Sequence, residues 1–215
     1  MLYYLPGCDF NANHPEAGAK LRNYMLAKEG IAQAPCCRKD LSELRPGDTI
    51  IENCTLCELV LSERLLQVRF VSLYEWLLDD ADFPWPDLSG RVMTLQDCAR
   101  TRTNAGIQAA VRACLERMHV MWVEVEENHD QTRFDGVWLY NPPAPDCLEV
   151  APRTFAELEK RRTLLPPEEQ EARMRAWCEQ YETEEVAVYC NGCERGVRLG
   201  GKRPFQVLEL LAEGL

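Results

Sequence analysis

Short apolar runs rich in Tyr, Val and Ile recur along the chain and stop each time near a cysteine. Leu2–Leu5 precedes Cys8, Thr49, Ile50 and Ile51 precede Cys54, Val92–Leu95 precedes Cys98, and 186–189 precedes Cys190. Runs of this length read as buried strands. Most are followed by stretches of helical periodicity. Over 17–28 the apolar positions are Ala17, Leu21, Tyr24 and Met25; over 105–118 they are Ile107, Val111, Cys114, Leu115 and Met118. Such spacings of three and four put them on one helix face. Strand alternating with helix predicts an α/β fold with largely parallel sheets.

Parallel strands end at one edge, so cysteines just past four strand ends collect there, where such folds build their ligand sites. Each also sits near the start of a following helix, whose free N–H groups favour a thiolate. The pattern occurs twice. Cys54-Thr55-Leu56-Cys57-Glu58 and Cys190-Asn191-Gly192-Cys193-Glu194 are both strand–CxxC–Glu units, each downstream of a strand–Cys–helix unit opened by Cys8 or Cys98.

Two pseudo-repeated lobes are therefore expected, 1–82 and 88–215, divided within 79–90, where Asp79, Asp80, Asp82, Pro84 and Pro86 end a helix predicted over 59–78. A helical insertion at about 142–185 lengthens the second lobe. It opens on Pro142, Pro143 and Pro145 and continues as helices over 154–165 and 167–181, whose mixed Glu and Arg read as solvated faces. In 204–215, Phe205, Leu208 and Leu211 are expected to face a core.

Composition adds the compartment and the chemistry. With 215 residues, 46% hydrophobic and 27% charged, the chain can build a core without disulfides. A formal charge of −11 disfavours nucleic acid or an anionic membrane surface as partner. The first residues carry no basic stretch ahead of an apolar one, and no run of about 18 apolar residues occurs, so neither a signal peptide nor membrane insertion is expected. The expected location is cytoplasmic. Eleven cysteines is a high count for such a chain, and in a reducing compartment patterned cysteines are metal ligands or redox thiols more often than disulfides.

The first lobe supplies Cys8, the vicinal pair Cys36 and Cys37, and Cys54 with Cys57. Five thiols exceed what one zinc ion or one cubane cluster uses. A vicinal pair suits a larger object gripped at two points. In order and context these residues resemble the cysteine-rich CCG domain of heterodisulfide reductases and related iron–sulfur oxidoreductases, a lobe that usually occurs twice in tandem. The resemblance implies a non-cubane iron–sulfur cluster on Cys8, Cys36, Cys37, Cys54 and Cys57. It also implies an oxidoreductase role in electron transfer or disulfide reduction, and an electron-donating partner, either a ferredoxin-like subunit or a flavoprotein.

Arg38 stands where that family has the glycine, and in the second lobe Phe134-Asp135-Gly136 stands in place of the pair. There Cys98, Cys190 and Cys193, with Asp135 as an oxygen ligand, form a candidate site for zinc or iron, or for nothing. Two other outcomes are a non-catalytic scaffold that is zinc-binding or metal-free, and a cluster-free thiol oxidoreductase working through CxxC.

Cys114 and Cys178 are expected to be packing residues, and Cys147 has no assigned role. His14 is the histidine nearest a cysteine motif and is considered a proton donor, and Arg100 and Arg102 are considered for an anionic substrate. No phosphate-binding glycine motif occurs, so nucleotide binding has no support.

Overall fold

In the computed structural model, which describes residues 1–65 and 67–215, each of the four cysteine-terminated runs is an interior strand of a four-stranded parallel sheet. The first sheet contains β1 (Leu2–Leu5), β2 (Ile31–Gln33), β3 (Thr49–Glu52) and β4 (Arg69–Ser72), in the order β2-β1-β3-β4. The second contains β5 (Val92–Leu95), β6 (Met121–Glu124), β7 (Glu185–Val188) and β8 (Arg203–Gln206), in the order β6-β5-β7-β8. Every pairing is parallel. The two sheets thus share one topology, as the duplicated cysteine pattern implies.

Each sheet belongs to its own unit. One comprises Met1–Phe83, Pro143–Lys160 and Leu215; the other comprises Pro84–Pro142 and Arg161–Gly214. In the first unit the helices are α1 (Cys8–Asn13), α2 (Pro15–Ala27), α3 (Thr55–Arg64) and α4 (Leu73–Asp79), together with α6 (Pro145–Val150) and α7 (Pro152–Glu159). The second unit holds α5 (Ala105–Arg117), α8 (Pro167–Cys178), α9 (Asn191–Leu199) and α10 (Val207–Leu211). Leu208 and Leu211 are buried as expected, whereas Phe205 is half-buried beneath the Arg91 guanidinium, 4.2 Å from its ring centre.

Two elements differ from the sequence expectation. The helix predicted over 59–78 is instead α3, a strand and α4. Arg69, Phe70 and Val71 pair in register with Thr49, Ile50 and Ile51, and Ser72 with Glu75 forms a capping box that starts a fresh helix. The insertion is also divided. Its first two helices fold with the first unit, and only α8 belongs to the second. The helix expected over 154–165 is the eight-residue α7, with Pro152 at its first turn, where a missing N–H costs nothing.

The cause is an apolar face hidden among charges. Cys147, Ala151 and Phe155, with Val150 and Leu158, pack in the same core as Tyr3, Leu5, Ile50, Val60 and Leu61. Glu63 on α3 then accepts the free N–H groups of Arg153 and Thr154 at 3.0 and 2.7 Å, satisfying the start of α7.

Desolvation works against the Glu63 carboxylate, but the Thr154 and Arg153 N–H groups outweigh it and hold its pKa at about 2, below the ordinary 4.5. Its contribution is therefore full above about pH 4.5 and is lost as pH falls from there toward 2. Glu63→Ala, or acidification through that window, should selectively lower hydrogen-exchange protection of the amides of α6 and α7 while β1 and β3 keep theirs. Equal protection in the variant and the parent at neutral pH would refute this anchoring role.

Candidate metal centre

In a parallel sheet of this order, the connections after the first and third strands leave toward opposite faces, opening a crevice at their shared end. Cys8 and Cys54 flank it in the first unit, Cys98 and Cys190 in the second. Cys54 and Cys190 are the N-caps of α3 and α9, which puts Cys57 and Cys193 in the first helical turn.

The residue before each of those caps ties the two loops together. In the first unit Asn53 accepts the Gly7 N–H through Oδ1 and donates to Tyr4 OH at 3.3 Å. A Cβ on Gly7 would sit 2.6 Å from that Oδ1, so glycine allows the approach. In the second unit the Tyr189 hydroxyl accepts the Cys98 N–H at 3.2 Å and donates to Asp97 Oδ1 at 2.6 Å.

The structure brings Cys98, Asp135, Cys190 and Cys193 together: their ligand atoms all lie within 4.8 Å of one another and all four residues are buried. The Asp-Gly at 135–136 is not a surface turn. Asp135 is 4% exposed, and Gly136, at φ +54°, lies so close to α9 that a Cβ would be 1.8 Å from the Gly192 carbonyl oxygen. Gly192 in turn presses on Trp138. Both glycines are needed for the aspartate to reach the sulfurs.

The Asp135 carboxylate is held from behind. Arg100, itself almost wholly buried, bonds it at 2.9 Å, and Arg161 bonds Oδ2 at 3.1 Å, while Oδ1 lies 3.8 Å from Cys98 Sγ. Arg100 is therefore committed to Asp135 and is not available for the anionic substrate considered from the sequence. Arg102 donates to the Asp130 carbonyl at 2.8 Å. Arg161, within the charged stretch expected to be solvated, is a site residue that no local sequence feature singles out. Burial raises the Asp135 pKa, against the pull of Arg100.

Among the sulfurs, hydrogen bonds from Cys193 and Cys98, with the Arg100 charge, draw Cys190 well below the usual thiol range. Cys98 is pushed up chiefly by its bond to Cys190, and Cys193 chiefly by burial. Three sulfurs and one carboxylate, all buried and this close together, could hold a metal ion.

The first unit is arranged differently. Among the described residues, only the second-unit group closes to single-ion spacing. Here the thiols form a string: Cys37 is hydrogen bonded to Cys36 and to Cys57, and Cys57 to Cys54. The Cys57 bond, with further help from Cys36, Arg38 and Arg64, brings Cys37 down to about 7 against its burial. Burial raises Cys36. Cys8 is exposed, with Arg38 Nη2 3.7 Å from its sulfur, and Arg64 donates to the Cys37 and Lys39 carbonyls, fixing the loop that carries the pair.

Cys114 and Cys178 are buried packing thiols, raised by burial to about 12 and about 11. Cys147, unassigned from the sequence, lies in the first-unit core that also contains Cys37 and Cys57 and against which Cys36 and Cys54 pack. The His14 ring stacks on Phe10 at 5.1 Å, and no histidine joins the four-residue group.

Set against family models, curated proteins and solved structures, the chain matches none. Among the described residues no helix is long and apolar enough to cross a membrane.

Asp135→Ala strands the buried Arg100 charge and should cost about 3–5 kcal/mol in urea unfolding of the metal-free protein, with Asp135→Asn costing less. Gly136→Ala, which must displace α9, should lose about 1–3 kcal/mol. A Gly136→Ala protein of parental stability would show that the close approach is dispensable.

Proposed function

We propose that the chain is a metal-bearing redox protein of the heterodisulfide reductase type, one component of a larger complex. An iron–sulfur cluster would be held by Cys8, Cys36, Cys37, Cys54 and Cys57, and a single zinc or iron ion by Cys98, Asp135, Cys190 and Cys193. The contrast between the units supports this assignment. The second unit gathers four donors at single-ion spacing, whereas the first packs Cys37 and Cys57 into one core with Cys36 and Cys54 against it, which with Cys8 makes more thiols than one ion uses.

Charge fits as well. Four anionic ligands around a divalent ion leave an excess of two negative charges, which Arg100 and Arg161 balance. A cluster in the first unit would supply one-electron steps that meet two-electron chemistry such as disulfide reduction. Cys8 is the exposed sulfur of that set, and Arg38 and Arg64 place positive charge near the pair. Since the chain carries no second cofactor motif, electrons would come from a partner, a ferredoxin-like or flavin subunit, in the cytoplasm.

One observation favours a second reading, a zinc-binding scaffold: the closed second-unit site needs only one ion and suits structural zinc. Anaerobic purification followed by iron, acid-labile sulfide and zinc analysis, with EPR of oxidised and reduced protein, separates the two. About four irons with matching sulfide is expected, and Cys36→Ser or Cys37→Ser should abolish the iron signal. Zinc without iron would favour the scaffold. Metal-free protein whose CxxC cycles with a disulfide would favour a cluster-free oxidoreductase.

A further inference from the structure

The first-unit core contains one cysteine from outside the duplicated motif. Cys147 comes from α6, far along the chain, yet it packs in the core that contains Cys37 and Cys57, with Cys36 and Cys54 against the same core. It is 9% exposed and lies within electrostatic reach of Cys37 and Arg38. Its place is fixed from both sides. The neighbouring Asp146 forms a 2.9 Å ion pair with Arg38, the residue that follows the vicinal pair and also contacts Cys8. Further on, Glu63 pins the start of α7.

Arg38 therefore links three sulfur-bearing segments: the loop of Cys36 and Cys37, the start of α1 at Cys8, and the start of α6 at Cys147. The other two cysteines outside the motifs have different surroundings. Cys114 is buried on α5, and Cys178 packs against Gly200 and the Val197 carbonyl. Neither is placed among the first-unit thiols.

We propose that Cys147 is a sixth sulfur ligand of the metal group held by the first unit, delivered by the 143–160 segment. On binding, the thiol gives its proton to solvent as the sulfur–metal bond forms. The proposal rests on the metal-bearing reading of the first unit but adds to it a ligand from outside the duplicated motif.

The test compares parent, Cys147→Ser, Cys147→Val and the control Cys114→Ser, each reconstituted anaerobically with ferrous iron and sulfide. If Cys147 is a ligand, both Cys147 variants should shift the EPR spectrum and lose iron to a chelator at least about tenfold more readily, the scale seen for removing even an outer partner of a metal ligand. Cys114→Ser should match the parent. A Cys147→Val protein with the parent's spectrum and iron retention would overturn the proposal, since valine replaces packing but not ligation.

If the variants fail to fold, the parent protein decides by limited alkylation mapped to each cysteine under mild denaturant. Protection of Cys147 that rises on metal loading together with that of Cys37 and Cys57 supports the assignment; protection unchanged by loading overturns it. A parent that takes up no iron or sulfide counts against the cluster itself. The same variants titrated with cadmium then decide Cys147 separately: weaker cadmium binding without it supports ligation, and equal binding refutes it.

Discussion

The strand order shared by both sheets is the constraint from which everything chemical in this molecule follows. Because the first and third strands of each sheet are parallel neighbours, the loops leaving them must diverge at a common edge. A cysteine placed a few residues beyond each strand is then brought to that crevice by the backbone alone. Asn53 and Tyr189, each one residue before a helix-capping cysteine, close the arrangement by bonding across to the loop of the neighbouring strand. Sulfurs far apart in the chain become neighbours without any side chain having to search for another.

The units use that shared geometry in opposite ways. In the second, two glycines let a buried carboxylate approach three sulfurs, and two arginines hold it there. The result is a small, buried group of four donors that could hold a metal ion. In the first unit the string of thiols stands in place of such a carboxylate site; a vicinal pair bridges toward Cys57, and Cys8 remains open to solvent beside Arg38. Arg38, the residue after the vicinal pair, is a structural link to Asp146 and Cys8.

What the sequence made legible depends on burial. The strands expected from apolar runs are β1, β3, β5 and β7, the interior members of the two sheets, all of whose residues after the first are buried. The ones it did not reveal are β2, β4, β6 and β8, the edges, which alternate with charged or half-exposed positions and lack an unbroken apolar signature. The metal-ligand candidates were legible because CxxC spacing and strand ends are local features. Arg161 and Cys147 were not. Their roles come from tertiary placement of a segment whose surface charges conceal the Ala151, Phe155 and Leu158 face.

The division of the insertion also sets an order of events during synthesis. Residues 1–83 contain every sulfur of the first-unit motif, but Cys147, Ala151 and Phe155 are part of the same core. When Phe83 leaves the ribosome, that core still has an uncovered face, and it stays so until residues 143–160 emerge. Meanwhile the second unit has received β5 and β6 but waits for β7 and β8. Neither unit is a contiguous stretch that can finish before the other begins. Completion of the first-unit core is therefore a late step, tied to the arrival of a segment encoded inside the other half of the chain.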